Sequence, residues 1–566
     1  MIAKQLIEPK SIVVVGGSDD IHKPGGTVLR NLQDGNFKGS LYVVNPKMDE
    51  VQGIKAYRDV KDLPEVDCAI LAIAAKFCPS TVEVLAKQKN TKAFIILSAG
   101  FHEENEEGAK LERQIVETIN SVGGSLIGPN CIGVLTNHYS GVFTSPIPEL
   151  NPQGVDLISG SGATALFIMD SGMQKGIKFN SMYSVGNSAQ LGVEEILEYM
   201  DESFDPKTSS RVKLLYVESI EKPEKLLKHA SSLIRKGCRI AAVKSGGSAA
   251  GSRAASSHTG ALASSDVAVE ALFRKAGIVR CNGRDELMTV AGIFMHPEMK
   301  GRNMAVVTHA GGPAVMLTDA LSNGGMDVPH IEGEKAQELL GKLFAGSSVG
   351  NPIDFLATGT AEQLGYILDA CDRDFDNIDG MAVIFGSPGL FPVFDVYNVL
   401  DEKMKTSKKP IFPIFPSSKI VKDEIAEFVS KGRVYFPDEV LFGNALCKIY
   451  KTPAPQPEHF EMPDMDVKKI REVVDNAQNG YLSPDEIHAL LDAAGVARAK
   501  EGVSDNEEEI VKMAKEIGFP LVMKVVGPIH KSDVGGVVLN VSDEETVRRE
   551  FNRMMQIKDT YAIMLA

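Results

Sequence analysis

The stretch Ser11–Gly26, SIVVVGGSDDIHKPGG, decides the fold of the first part of the chain. Ser11–Val15 is an uninterrupted apolar run, the pattern of a strand covered on both faces. Glycines follow at once, and Thr27–Asp34 continues with helical spacing. A strand, a glycine turn and a helix open a doubly wound α/β unit. Apolar runs recur at Leu41–Asn45 (LYVVN), Cys68–Ile73 (CAILAI), Ala93–Leu97 (AFIIL) and Ser125–Gly128 (SLIG). Amphipathic stretches separate them, so a parallel sheet with helices on both faces is expected.

Working outward, the Gly/Pro-rich connection Gly141–Gly154 reads as the end of this unit. A second α/β unit opens at Val155–Ser159, with strands at Ser181–Val185, Leu214–Glu218 and Ile240–Lys244. A third runs from Met304–Thr308 to about Tyr450, with strands at Met381–Phe385 and Ile411–Phe415. Pro453, Pro455, Pro457 and Pro463 mark a linker. A capped helix at Ser483–Ala494 and a strand at Pro520–Val525 follow it. The domains expected are therefore 1–145, 146–290, 291–452, a linker at 453–468, and 469–566.

The chain has 566 residues, 60 Lys+Arg against 75 Asp+Glu, and a net charge of -15. That balance lacks the footprint of a phosphate-backbone binder, so no nucleic-acid partner is expected. No apolar run approaches the length of a membrane span, and Met1–Lys10 lacks a signal-peptide core. Seven cysteines without a CxxC pair read as reduced thiols of a cytoplasmic protein, with no metal site.

Three features carry chemistry. First, SGSGATALFIMD (Ser159–Asp170) and THAGGPAVMLTDA (Thr308–Ala320) share one plan. Each is a strand, a small-residue turn and an apolar helix with Asp at the same offset. Two such helix N-termini, at Ser159, Gly160, Ser161 and Gly162 and at Gly311 and Gly312, suit phosphate, because free N–H groups and the helix dipole converge there. Second, the loop after the first strand lacks strict GxGxxG spacing, and the second strand ends in Asn45-Pro46-Lys47, where a dinucleotide site would place an acid. A lysine there suits a phosphorylated ribose, and Lys23 suits a pyrophosphate; coenzyme A carries both. Third, His258 lies among small residues in SSHTGALA with no second ligand at zinc spacing. Near two anion-binding helix ends it suits covalent phosphoryl transfer. Glu218 is the candidate carboxylate for its other ring nitrogen.

These segments resemble the nucleoside-diphosphate-forming acyl-CoA synthetases, relatives of succinyl-CoA synthetase. SSHTGALA is similar to the family's phosphohistidine segment. VVVGGSDDIHKPGG, YVVNPK, LSAGF and GPNCIGV resemble its CoA-binding domain, and LISGSGATA, SVGNSAQLG and YVESI its phosphohistidine domain. THAGGPAVMLTDA and GNPIDF resemble the third domain, and PLVMKVVGPIHKSDVGGV the start of an ATP-grasp domain. The resemblance implies a Rossmann-like CoA-binding domain, two flavodoxin-like domains and part of an ATP-grasp domain. It implies the reversible reaction of acid, CoA and ATP to acyl-CoA, ADP and phosphate, through an acyl phosphate and a phosphohistidine, with acetate as the family-level acid. By position, His258 is the phosphohistidine, Glu218 its orienting carboxylate and His530 a second phosphoryl carrier. Gly17, Ser18, Lys23, Asn45, Lys47, Ser98, Ala99, Gly100 and Asn130 line the CoA site, and Lys524 meets the nucleotide. Relatives suggest a homodimer.

In the family, Tyr561–Ala566 falls early in the ATP-grasp fold, before the adenine hinge and the carboxylates that hold Mg2+. A fragment of a longer chain is the first expectation; a complementing ATP-grasp chain is another. A CoA-sensing regulatory protein of the same architecture is the alternative to an enzyme. A nicotinamide-linked oxidoreductase rests only on the first loop.

Overall fold

A computed structural model describes residues 2–35, 37–259, 265–387, 392–457, 463–528 and 531–566, with side chains from 255 to 259 outside the description. The chain forms two compact units, Met1–Gln456 and Pro457–Ala566.

The first unit contains three sheets. The first is built from β1 (Ser11–Val15), β2 (Ser40–Val44), β3 (Glu50–Val51), β4 (Ile54–Tyr57), β5 (Cys68–Leu71), β6 (Ala93–Ile96) and β7 (Ser125–Ile127), in the order β3-β4-β2-β1-β5-β6-β7. All its pairs are parallel except β3 with β4. Ile12–Val15 are buried, as a central strand requires. The chain leaves β1 to one side through α1 (Pro24–Asp34) and later returns to its other side at β5, so a crevice opens at the carboxyl end of β1. Gly16 fills that bend: its φ is +88°, and a Cβ there would stand 2.5 Å from the Ala72 carbonyl oxygen. The helix α2 (Glu106–Ser121) covers this sheet beyond β6.

The second sheet adds β8 (Gly133–Leu135), β9 (Ser140–Val142), β10 (Leu150–Ser159), β11 (Phe179–Ser184), β12 (Val212–Val217), β13 (Arg239–Lys244) and β14 (Val279–Cys281). Its order is β14-β13-β12-β10-β11-β8-β9. The helices α3 (Gly162–Gln174), α4 (Val193–Glu202), α5 (Pro223–Arg235), α6 (Ala249–Thr259) and α7 (Arg284–Phe294) connect and cover it. The third sheet is parallel, β16 (Ile353–Asp354), β15 (Met304–Thr308), β17 (Gly380–Ile384) and β18 (Ile411–Ile414), with α8 (Gly311–Asn323) following β15.

Both internal boundaries expected from sequence shift. The hairpin β8–β9 precedes residue 145 yet pairs antiparallel with β11 in the second sheet. Gly133 lets the hairpin close, since a Cβ there would meet the Gly141 oxygen at 2.0 Å. Asn31 of α1 donates to the carbonyls of Val142 and Thr144 at 2.6 and 2.8 Å, stitching the hairpin to the first sheet. The division at 290 cuts α7, whose residues Leu287–Phe294 are all buried. A helix apolar all round belongs inside a core, and α7 is packed with residues of α3 and α8 in one cluster.

The second unit has an antiparallel sheet of β19 (Gly502–Ser504), β22 (Ala562–Leu565), β20 (Leu521–Val526) and β21 (Val537–Val541), packed by α9 (Glu507–Ile517) and α10 (Glu544–Met554). Among the described residues no helix is long and apolar enough to cross a membrane.

Candidate functional site

The carboxyl edge of the first sheet gathers the expected CoA residues. Asn45, just past β2, donates from Nδ2 to the Gly17 carbonyl at 2.9 Å and accepts the Lys47 amide at 2.9 Å. It therefore shapes the loop that Gly17 and Ser18 open. A Cβ on Gly17 would stand 2.3 Å from Val43 Cγ2, so only glycine lets the loop lie this close to β2. The α1 N-terminus carries Pro24 at its first turn and no side-chain cap; the Gly26 and Thr27 amides donate to the Lys23 carbonyl, each at 2.9 Å. Lys23 stands beside it, exposed and 3.6 Å from Asp20. Ser98 donates to the Ile73 carbonyl, and its own carbonyl accepts the Asn130 amide at 2.9 Å. Ala99 and Gly100 complete this turn.

A cavity of about 300 Å3 lies between this edge and the carboxyl edge of the second sheet. Asn130, Gly160, Ser161, Gly162 and Glu218 all line it. Three elements that are distant in sequence therefore meet: the loop after β7, the N-terminus of α3 and the end of β12. Ser161 caps α3, its Oγ accepting the Thr164 amide at 3.4 Å. Ser159 is buried and does not line the cavity; its hydroxyl donates to the Ser161 carbonyl at 2.7 Å and fixes the turn. Thr308 does the same before α8, donating to the Ala310 carbonyl at 2.8 Å and accepting its amide at 3.0 Å. The two turns repeat each other bond for bond, although Gly311 and Gly312 do not line this cavity. Gly17, Ser18, Lys23, Asn45, Lys47 and Ser98–Gly100 lie along the first sheet's edge outside it.

His258 is placed on α6, one strand beyond Glu218, with its side chain outside the described residues. The Ser245 amide, just past β13, donates to the Val217 carbonyl at 3.0 Å, so the turn leading to α6 is tied to the strand end that presents Glu218. Lys244 is buried there; burial pulls its ammonium below the usual lysine range, against the opposing charge of Asp266. Lys524 lies on β20 of the second unit, half-buried. His530 lies outside the described residues. Among the described residues no group of three His, Cys, Asp or Glu could hold a metal ion.

Sequence reasoning missed several lining residues. Glu194 accepts the amides of Glu221 and Lys222 at 2.9 and 3.1 Å. Glu195 accepts from Gly192 at 3.0 Å and pairs with Lys222 at 2.9 Å. Burial pushes the Glu195 carboxyl up, but these bonds hold it below the usual range. Both carboxylates are thus held by hydrogen bonds within the wall. His102 and Glu103 also line the cavity. The Glu-rich run after Phe101 reads as a solvated helix start, which conceals them.

Comparison with known proteins gives the class, an acid–thiol ligase. Residues 10–137 match the CoA binding domain family, 152–294 the succinyl-CoA ligase like flavodoxin domain, and 473–562 an ATP-grasp domain. An acetate–CoA ligase (ADP-forming) from Archaeoglobus fulgidus is 32% identical over 568 residues, 98% of this chain and 80% of the relative. A 4-hydroxybutyrate–CoA ligase (ADP-forming) from Nitrosopumilus maritimus is 29% identical, across 99% of this chain and 81% of the relative. The structure of an acetyl-coenzyme A synthetase from Candidatus Korarchaeum cryptofilum, in complex with phosphate and ADP, superposes with a TM-score of 0.71 at 26% identity, over 79% of this chain and 96% of that one. The chain belongs to the ADP-forming acyl-CoA synthetases of the succinyl-CoA synthetase superfamily. It is an enzyme whose reaction uses CoA, a nucleotide, phosphate and Mg2+. The regulatory alternative finds no support among these relatives, all of which are ligases or synthetases.

Proposed function

We propose that this chain joins a short carboxylic acid, acetate first among them, to CoA through an acyl phosphate, with His258 carrying the phosphoryl group. The observation that supports this is the shared cavity, where Asn130 of the CoA-side sheet faces Gly160–Gly162 and Glu218. CoA lies along Gly17, Ser18, Lys23, Asn45, Lys47 and Ser98–Gly100, with its thiol end reaching Asn130. The acyl phosphate sits at the α3 terminus, whose amides hold the phosphoryl oxygens. A neutral imidazole at His258 attacks phosphorus, and Glu218 holds the ring and offsets the charge it gains. An in-line transfer needs the atoms ~3 Å apart, so α6 must bring His258 to this terminus and then away from it. Gly311 and Gly312 form the equivalent terminus on the third sheet. Lys524 faces nucleotide phosphate, and His530 is the second carrier.

Acetate–CoA ligases among the relatives support a short acid. Incubating the chain with phosphate and a series of acyl-CoAs, and trapping acyl phosphate as hydroxamate, tests this. Acetyl-CoA should react fastest; a preference for an aromatic acyl-CoA would contradict the assignment. We further propose assembly as a homodimer, with a complementing ATP-grasp chain as the competing outcome. Sedimentation of the chain alone distinguishes them.

A further inference from the structure

His102 stands in the loop after β6, at the wall of the same cavity. Its Nδ1 lies 2.7 Å from Glu112 Oε1 and 2.9 Å from Oε2. Glu112, on α2, is itself held: Asn187 donates to its Oε2 at 3.2 Å and to Glu103 Oε2 at 2.5 Å. Glu103 in turn accepts the amides of Gly100 and Phe101 at 2.7 and 3.2 Å, which fixes the loop carrying His102. Asn130, at the proposed thiol end of CoA, donates to Asn187 Oδ1 at 3.4 Å. The loop of the CoA sheet, the α2 carboxylate and the β11–α4 loop are therefore one network around one imidazole.

A ring whose Nδ1–H is given to a carboxylate presents Nε2 as a base. Among the described residues Nε2 makes no hydrogen bond to the protein. Of the other carboxylates in the wall, Glu194 accepts the amides of Glu221 and Lys222, and Glu195 accepts the Gly192 amide and pairs with Lys222. Thioester formation needs such a base, because a thiol with ordinary acidity is mostly protonated at neutral pH.

We propose that His102 is the base that takes the CoA thiol proton as the thioester forms, with Glu112 orienting the ring. The assignment rests on the function proposed above. In the step, the thiol proton passes to Nε2 and sulfur bonds to the acyl carbon. The bond from that carbon to the bridging phosphate oxygen breaks, and phosphate leaves with the electron pair. In reverse, the imidazolium returns the proton to the departing thiolate. The groups facing the ring are Glu112 from α2, Glu103 from its own loop and Glu221 from the segment before α5; Glu112 foremost raises its pKa, against burial.

The test uses the 566-residue chain with acetyl phosphate and CoA, following thioester formation from pH about 5 to 9. His102→Gln should slow the reaction by about 10²-fold and abolish the acid limb of the rate profile. CoA affinity should be unchanged. Glu112→Gln should keep a limb but move it to lower pH, because the carboxylate that raises the imidazole is gone; this variant carries the test if His102→Gln does not fold. Labelling of the protein by acetyl phosphate, which needs no thiol, should survive in both. A wild-type rate and limb in His102→Gln overturns the assignment, as does a loss explained by weaker CoA binding. If the unaltered chain is labelled by acetyl phosphate but makes no thioester, this assignment fails alone. If it does neither, the function it rests on fails as well.

Discussion

Glu218 and Gly16 show how single residues divide between chemistry and shape. Glu218 lies just past β12, in the cavity wall, and in the proposed function it offsets the charge that the His258 imidazole gains. Glu218→Gln should keep the fold and slow phosphorylation of the protein by acyl-CoA and phosphate by about 10²-fold or more; quench-flow labelling measures it. Gly16 does no chemistry. Its positive φ and the 2.5 Å approach to the Ala72 oxygen mean that Gly16→Ala should cost about 1–3 kcal/mol and weaken CoA binding together. Denaturant titration and a CoA binding isotherm check both. His296 is buried between Phe412 and Phe436, its Nδ1 2.8 Å from the Gly292 carbonyl, and burial pulls its pKa down to about 4. The unfolded chain binds a proton near pH 6.5 that the folded one refuses. Above about pH 6.5 this residue has no effect. Between there and about pH 4 it destabilises the fold progressively, by up to about 3 kcal/mol. His296→Phe should remove that part of the acid sensitivity in melts taken across this range.

At the scale of elements, the paired turns before α3 and α8 are the clearest device. Each strand ends in a hydroxyl, Ser159 or Thr308, that closes a turn on the second residue after it. Only α3 has a side-chain cap, Ser161. Ser161→Ala should cost about 1 kcal/mol of stability and lower phosphate affinity at that terminus, whereas Ala310→Ser should stabilise α8; thermal melts with and without phosphate separate the two. These turns were legible because a strand, small residues and an apolar helix leave few alternatives. The β8–β9 hairpin was not. Its strands, Gly133–Leu135 and Ser140–Val142, are too short for period to show, and their partner β11 lies more than thirty residues on. Helix α7 was split for a related reason: its composition is apolar all round, so no stripe marks which core it serves. In the site, Asn130 and Glu218, which line the cavity, were legible from motif position. His102 and Glu112 were not, because their pairing bridges a loop and a helix that look merely solvated in sequence.

For the whole molecule, the division at Gln456 has a consequence. The cavity, the α3 terminus and Glu218 all belong to Met1–Gln456. That unit expressed alone should fold cooperatively and retain exchange between acyl-CoA and phosphate, while losing all nucleotide dependence. The net charge of -15, which belongs to the whole chain, does not oppose a polyanionic substrate in the proposed function, where Lys23, Lys47 and helix termini supply the local field. The central claim, that phosphate enters from an acyl phosphate and rests on His258, is tested most directly by protein labelling. The full chain is incubated with acetyl-CoA and labelled phosphate, then read by intact mass and by lability of the label in acid. One acid-labile phosphate per chain, absent in His258→Ala, is the predicted result; no label, or a label that persists in that variant, would contradict it.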